Sequence, residues 1–304
     1  MHTLIIGAGF SGLHIGLQAK RLGSVCATRR SVSALSQLRS AGISTAMLCV
    51  PEAPDTPLTG PDVLSDDVRQ ELDRTTHLVV CVAPARQAPL NDPILRLLNE
   101  PAVNLPHLQW IGYLSTIGVY GNHDGNWVDE NTPCSSTQPR SIMRAQAERG
   151  WQALASTRDV ALSVLRLSGI YGVGRSAIDD AIAGRARMLI KPEQVFNRIH
   201  VEDLATATML CASRQFDGVL NITDDLPAAP QDVIRYAHAL VGKPEPASVD
   251  FFTADISDMA RSFYNENKRV RNAASKLALD MQYQYPSYKE GLDAVWQRQA
   301  LQDN

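Results

Sequence analysis

The stretch Thr3-Leu4-Ile5-Ile6-Gly7-Ala8-Gly9-Phe10-Ser11-Gly12-Leu13 decides the fold. A short apolar run meets glycines spaced G-x-G-x-x-G, and a helical pattern, Leu13–Leu22, follows and stops at Gly23. Strand, glycine turn and helix in that order open a dinucleotide-binding unit. Each glycine has its own task there. Gly7 permits the tight turn, Gly9 lets the backbone approach a pyrophosphate, and Gly12 lets helix and strand pack closely. Phosphates would lie at the helix N-terminus, where unpaired N–H groups and the dipole favour anions. Phe10 and Ser11, between the glycines, are counted among the cofactor contacts.

Working outward, Val25–Thr28, Thr45–Val50, His77–Val82, Leu108–Leu114, Ala161–Leu167 and Val219–Ile222 read as further strands. They are short, apolar on both faces and separated by helical or loop segments. Such strands predict an α/β fold with a doubly wound parallel sheet covered on both sides, a Rossmann architecture. Ser141–Leu154 carries Met143, Ala147, Trp151 and Leu154 as one apolar helical stripe. Pro230–Val241 and Gly291–Gln299 read as later helices, Pro51–Gly60 as a loop, and 173–200 shows no clean period. The expected division is a nucleotide-binding domain over 1–168, with 199–222 returning to it. Residues 169–304 would form mainly a smaller C-terminal substrate-binding domain.

Composition narrows the function. The 304 residues are 44% hydrophobic and 20% charged, with a net charge of −3, which excludes a disordered chain and offers no basic field for nucleic acid. Cys26, Cys49, Cys81, Cys134 and Cys211 are scattered without a CxxC pair, so neither a zinc cage nor a disulfide framework is expected. No apolar run approaches the roughly 18 residues that span a bilayer, and Met1–Ile6 lacks a basic leader segment. A cytoplasmic protein acting on a small molecule is the expectation.

The end of the second strand selects the cofactor. NAD sites place an acid about 20 residues after the glycines to bond the ribose 2′-hydroxyl. This chain has Thr28-Arg29-Arg30 there. Arginine suits a 2′-phosphate, so NADP(H) is predicted; the plainer reading leaves both arginines as solvated surface charges. Ala83 and Pro84 after the fourth strand and Ser115 after the fifth complete the expected cofactor contacts.

Leu114-Ser115-Thr116-Ile117-Gly118-Val119-Tyr120-Gly121 resembles the segment after the fifth strand of extended short-chain dehydrogenase/reductases. Leu165-Arg166-Leu167-Ser168-Gly169-Ile170-Tyr171-Gly172 resembles the segment after their sixth strand, and Asn197-Arg198-Ile199-His200-Val201-Glu202-Asp203 their "IHVxD" segment. The tail, with Asn267-Lys268-Arg269-Val270 and Tyr285-Pro286, is similar to the atypical, NAD-epimerase-like branch. The resemblance implies a Rossmann sheet with a small substrate domain, a nicotinamide cofactor, nucleotide sugars among the family's substrates, and homodimers in many members. It implies Thr116 as the hydroxyl that holds a substrate oxygen. Tyr171, Asn197, Arg198 and Lys268 become candidate substrate contacts.

The departures matter as much. The family's acid/base chemistry rests on Tyr-x-x-x-Lys, and residues 121–150 hold neither Tyr nor Lys. Counting back from Glu148 puts Arg144 at the Lys position and Arg140 at the Tyr position. A guanidinium with pKa above about 12 is no general acid at neutral pH, yet Arg144 can hold ribose hydroxyls or an anion. Arg140, Arg144 and Glu148 share one helix face, so an anionic substrate group near Arg140 is one expectation. The alternative pairs Arg144 with Glu148 and turns Arg140 to water. Tyr264-Asn265-Glu266-Asn267-Lys268 is a literal Tyr-x-x-x-Lys far from the family position, which makes Tyr264 a reserve proton donor. His200 is another, by its pKa, with a bracing role as its alternative.

Three functions follow. One is an NADP(H)-dependent oxidoreductase acting on a carbonyl or hydroxyl without the usual dyad. Another is a non-catalytic NADP(H)-binding regulatory protein, and the third a nucleotide-sugar epimerase or dehydratase.

Overall fold

The structure is a computed structural model that describes residues 1–53, 56–85 and 92–302. Its centre is a seven-stranded sheet: β1 (His2–Ile6), β2 (Ser24–Arg29), β3 (Ser44–Met47), β4 (His77–Val80), β5 (Trp110–Thr116), β6 (Ala161–Leu167) and β7 (Gly218–Ile222). Their order is β7-β6-β5-β4-β1-β2-β3, and β1 runs parallel to β2 and β4, β2 to β3, and β4 to β5. The chain winds outward from β1 through β3, then restarts at β4 on the other side of β1. That reversal opens a crevice at the C-terminal strand ends, where open α/β sheets take their ligands.

Strand ends are set by their neighbours. β4 was expected to reach Val82 but stops at Val80, because Cys81 N–H takes the last carbonyl of β1, Ile6, at 2.9 Å and β1 then turns away. β3 stops at Met47 rather than Val50 for the same reason: Leu48 N–H bonds Arg29 O at 3.0 Å, where β2 ends. The first helix, α1 (Phe10–Ala19), starts three residues before the apolar pattern, inside the glycine motif. Gly9 is its N-cap and accepts from Leu13 N–H at 3.0 Å, while Lys20–Leu22 unwinds into a turn before Gly23.

The other helices of this part are α2 (Ser36–Ser40), α3 (Asp66–Arg74), α4 (Pro93–Leu98) and α5 (Pro139–Arg158). α3 was not foreseen, yet Ser65 caps it, Asp66 and Asp67 fill its first turn and Arg74 its last, as the helix dipole favours. Asp92 caps α4 with Oδ1, accepting from Ile94 and Leu95 N–H at 3.0 Å each. Its Oδ2 accepts from Trp151 Nε1 at 2.9 Å, which ties α4 to α5. The expected stripe Met143, Ala147, Trp151 and Leu154 is buried on α5, and Trp151 stacks on Tyr113 of β5 at 5.5 Å.

The chain divides into two compact units. One comprises Met1–Val119, Thr137–Arg166 and Leu204–Leu220; the other comprises Tyr120–Ser136, Leu167–Asp203 and Asn221–Asn304. Segment 120–136 joins the second unit because Trp127–Val128 pairs with Arg269–Val270 and Lys268 Nζ donates to Gly121 O at 2.5 Å. The second unit packs helices Ala177–Ile182, Pro230–Leu240 and Tyr288–Gln302 around Tyr171, Ile178, Val233 and Leu292. Among the described residues no helix is long and apolar enough to cross a membrane.

Candidate nucleotide site

The glycine turn has the shape a dinucleotide needs. Gly7 sits at φ +78°, and a Cβ there would lie 2.4 Å from Val82 Cγ2, so no other residue fits without strain. A Cβ on Gly12 would meet Ala8 Cβ at 3.0 Å and Ile5 Cγ2 at 3.3 Å, which is the close helix–strand packing expected of it. A Cβ on Gly9 meets nothing nearer than Gly7 O at 4.0 Å, leaving open space before the first turn of α1. Phe10 rests edge-on against His14 at 5.3 Å, and Ser11 is half-buried.

The end of β2 wraps this turn. Ala8 N–H donates to Thr28 O at 2.9 Å and Gly7 N–H to Thr28 Oγ1 at 3.2 Å. Thr28, expected as a cofactor contact, is buried, and its hydroxyl braces the glycine turn. Arg29 and Arg30 then differ. Arg29 is half-buried, and its Nε is sealed from solvent with no hydrogen-bond partner. Its charge reaches Cys81, whose thiol burial nonetheless pushes up to about 12. The Arg30 side chain is 78% exposed and stands 3.5 Å from Glu52. Ala83 and Pro84 follow β4 at the same sheet edge, Ala83 exposed and Pro84 buried.

At the head of β5 the alternative pairing of Arg144 with Glu148 is corrected. Glu148 faces inward and does not pair with Arg144: it holds Arg166 of β6 through Oε2 at 2.8 Å and Oε1 at 3.2 Å, with both side chains under 9% exposed. Its Oε1 also accepts from Ser115 Oγ at 2.5 Å. Ser115, expected among the cofactor contacts, therefore spends its proton on Glu148. Arg144 lies over the Tyr113 ring at 5.5 Å and donates Nη1 to Tyr113 Oη at 3.1 Å and Leu114 O at 2.8 Å. Arg140, one turn earlier, is exposed. Thr116 Oγ1 accepts from Gly118 N–H at 3.1 Å, which leaves its own proton for another acceptor. Burial raises the Tyr113 hydroxyl far above the usual tyrosine range although Arg144 adjoins it, so this phenol is a strut and no acid.

In the second unit the strands Gly169–Tyr171 and Arg198–His200 pair in parallel and gather most of the remaining candidates. The structure gives them internal partners. Tyr171 Oη donates to Ser287 O at 3.3 Å, and burial drives its pKa upward, with Asp224 and Asp203 adding to the effect. Asn197 bridges Lys268 O at 2.9 Å and Val270 N–H at 2.9 Å. Lys268 Nζ is spent on Gly121 O and, at 2.7 Å, on Glu266. These three are braces of the unit rather than open substrate contacts. Arg198 donates Nη1 to Phe196 O at 3.0 Å and Ala228 O at 3.2 Å.

His200 is 1% exposed, with its ring 3.9 Å from Tyr285 and 5.2 Å from Tyr171, and its Nδ1 accepts from Glu202 N–H at 3.3 Å. That is the bracing alternative, completed by Asp203, which takes Gln284 and Tyr285 N–H at 2.8 and 2.9 Å. Burial opposes charge on Glu202, yet the Arg298 guanidinium and the Tyr285 hydroxyl hold it down at about 2. Tyr264 lies apart, stacked on Phe251 at 4.8 Å and edge-on to Phe196, with its pKa raised by burial. Lys268 Nζ is held by Gly121 O and Glu266, while the Tyr264 ring packs with Phe251 and Phe196.

Sequence reasoning missed Tyr113, the Glu148–Arg166–Ser115 clamp, Glu52 and Asp224. An arginine inside the apolar strand Ala161–Leu167 was the available signal, since a buried guanidinium demands a carboxylate.

Comparison with known proteins places the chain. It is 38% identical to a functionally unknown conserved protein from Silicibacter pomeroyi, over 98% of this chain and 99% of that one, with TM-score 0.81. It is 25% identical to a protein assigned as an NAD-dependent epimerase/dehydratase from Methylobacillus flagellatus, over 98% of each, with TM-score 0.71. The solved neighbours include NAD-dependent epimerase/dehydratase family members, in agreement with the sequence resemblance to extended short-chain dehydrogenase/reductases. The dTDP-glucose 4,6-dehydratase of Bacillus anthracis, solved with NAD, shares its fold at TM-score 0.74 and 18% identity, over 100% of this chain and 97% of that one. No family model and no curated protein sequence matches the chain.

Proposed function

We propose that this chain is an NADP(H)-dependent oxidoreductase acting on a carbonyl or hydroxyl of a small molecule that carries an anionic group. The observation that carries the reading is Arg29: a guanidinium whose Nε is buried without a partner, at the strand end where an NAD site would hold an acid. A buried donor left unpaired costs roughly 1–3 kcal/mol, and a 2′-phosphate beside it relieves part of that cost by charge-assisted bonds. The open space at Gly9 fits the pyrophosphate, and the NAD complex of the related dehydratase supports a nicotinamide dinucleotide.

Bound cofactor supplies hydride chemistry at its nicotinamide. Thr116 offers its hydroxyl proton to the substrate oxygen. Arg144, anchored through Nη1, presents the rest of its guanidinium, and Arg140 adds positive charge one turn away on a helix with no acid in its first turn. Both arginines favour an anion there. A guanidinium does not serve as a general acid, so water completes the proton balance.

The same arginines favour a second reading, an NADP(H)-binding regulatory protein, because they stand where the family keeps its acid and its lysine. A panel of carbonyl compounds with and without a carboxylate or phosphate, assayed by NADPH consumption, separates the two. Turnover of anionic carbonyls that falls in Thr116→Val supports the oxidoreductase. Tight NADPH binding with no consumption across the panel supports the regulatory protein.

A further inference from the structure

Arg30 has an anionic neighbour already. Glu52 follows β3, the strand that pairs with β2 in the register Arg29 to Met47, so the loop after β3 returns to the edge where Arg30 stands. Arg30 Nη1 and Glu52 Oε1 are 3.5 Å apart, with side chains 78% and 65% exposed. This is too long for a good hydrogen bond; it is an ion pair in water, weak and readily exchanged.

A 2′-phosphate is multiply charged and brings three strong acceptor oxygens. It would compete with Glu52 for Arg30 and be repelled by that carboxylate. An unphosphorylated ribose brings hydroxyl donors instead, which a carboxylate accepts. One side chain thus opposes the phosphorylated cofactor and tolerates the other. Resting on the cofactor reading above, we infer that Glu52 is a cofactor-selectivity residue that competes with the 2′-phosphate for Arg30 and so limits the preference for NADPH over NADH.

The test is calorimetric titration of the full chain with NADPH and with NADH, as wild type, Glu52→Gln, Arg30→Ala and the double variant. Glu52→Gln is expected to tighten NADPH by about 2–5-fold, the scale of an exposed ion pair, while NADH stays unchanged or weakens. The gain shrinks in high salt, where the screening length falls to about 3 Å at 1 M, and in the Arg30→Ala background only the smaller part from direct carboxylate–phosphate repulsion is left. An unchanged NADPH affinity in Glu52→Gln overturns the inference, as does equal tightening of both nucleotides. A wild type that binds NADH and not NADPH defeats the cofactor assignment instead; a Glu52→Gln chain that then acquires NADPH binding still upholds the role of Glu52. A wild type that binds neither nucleotide overturns both.

Discussion

Replacing Glu148 by alanine tests whether the head of β5 is held as described. The substitution removes the partner of Arg166 and the acceptor of Ser115 Oγ at once. The Arg166 and Glu148 side chains are only 8% and 5% exposed, so water does not replace the lost carboxylate cheaply. Breaking a buried pair from one side costs roughly 3–5 kcal/mol, because a charge is left uncompensated. For a unit of roughly 150–250 residues that corresponds to a fall in Tm of about 6–20 °C. Urea unfolding at neutral pH, with calorimetry alongside, reads both quantities. The pair replaced together, Glu148→Leu with Arg166→Met, should recover most of the loss, since two apolar residues of similar volume leave no stranded charge. A Glu148→Ala chain within about 1 kcal/mol of wild type, the range of exposed pairs, refutes the buried clamp. So would a double variant as unstable as the single one.

Two more outcomes are expected. Asp224 is 1% exposed, Oδ1 accepts from Leu226 N–H and Oδ2 has no partner; burial raises its pKa to about 8, against the pull of Arg198 and with Asp225 and Asp203 adding to the rise. The folded chain therefore keeps a proton that the unfolded chain loses near pH 4, so this contribution to stability is full below pH 4 and is lost as pH rises to about 8. The loss is on the order of 5 kcal/mol at about 1.4 kcal/mol per pH unit; Asp224→Asn should flatten the pH dependence of urea unfolding, and an unaltered slope would contradict it. Gly7→Ala must place a Cβ at φ +78° and 2.4 Å from Val82, so nucleotide affinity should fall at least tenfold, about 1.4 kcal/mol; titration showing wild-type affinity would contradict the shape assigned to the turn.

The fold was largely legible because the sheet is buried on both faces. Strands such as His2–Ile6 and Ala161–Leu167 had to be short apolar runs, and the glycine spacing fixed the direction of the first crossover. What escaped was set by partners distant in the chain. β4 ends where β1 turns away, and α3 and α4 rest on caps at Ser65 and Asp92 rather than on a long apolar stripe. The site divides the same way. The glycines and Arg29 could be read because their chemistry is local. Asn197, Tyr171 and Lys268 have polar atoms that suit a substrate equally well, and only tertiary structure reveals that Val270, Ser287 and Gly121 use them first. Arg144 and Glu148 stand at helical pairing distance, yet each finds a better partner off the helix, in Tyr113 and Arg166.

The role proposed for Arg29, at the end of β2, is to receive a 2′-phosphate. Calorimetric titration of wild type and Arg29→Ala with NADPH and NADH tests it most directly. NADPH is expected to bind at least tenfold tighter than NADH in wild type, about 1.4 kcal/mol, with the difference largely lost in Arg29→Ala. Equal affinity for the two nucleotides, or a preference for NADH that survives Arg29→Ala, would contradict it.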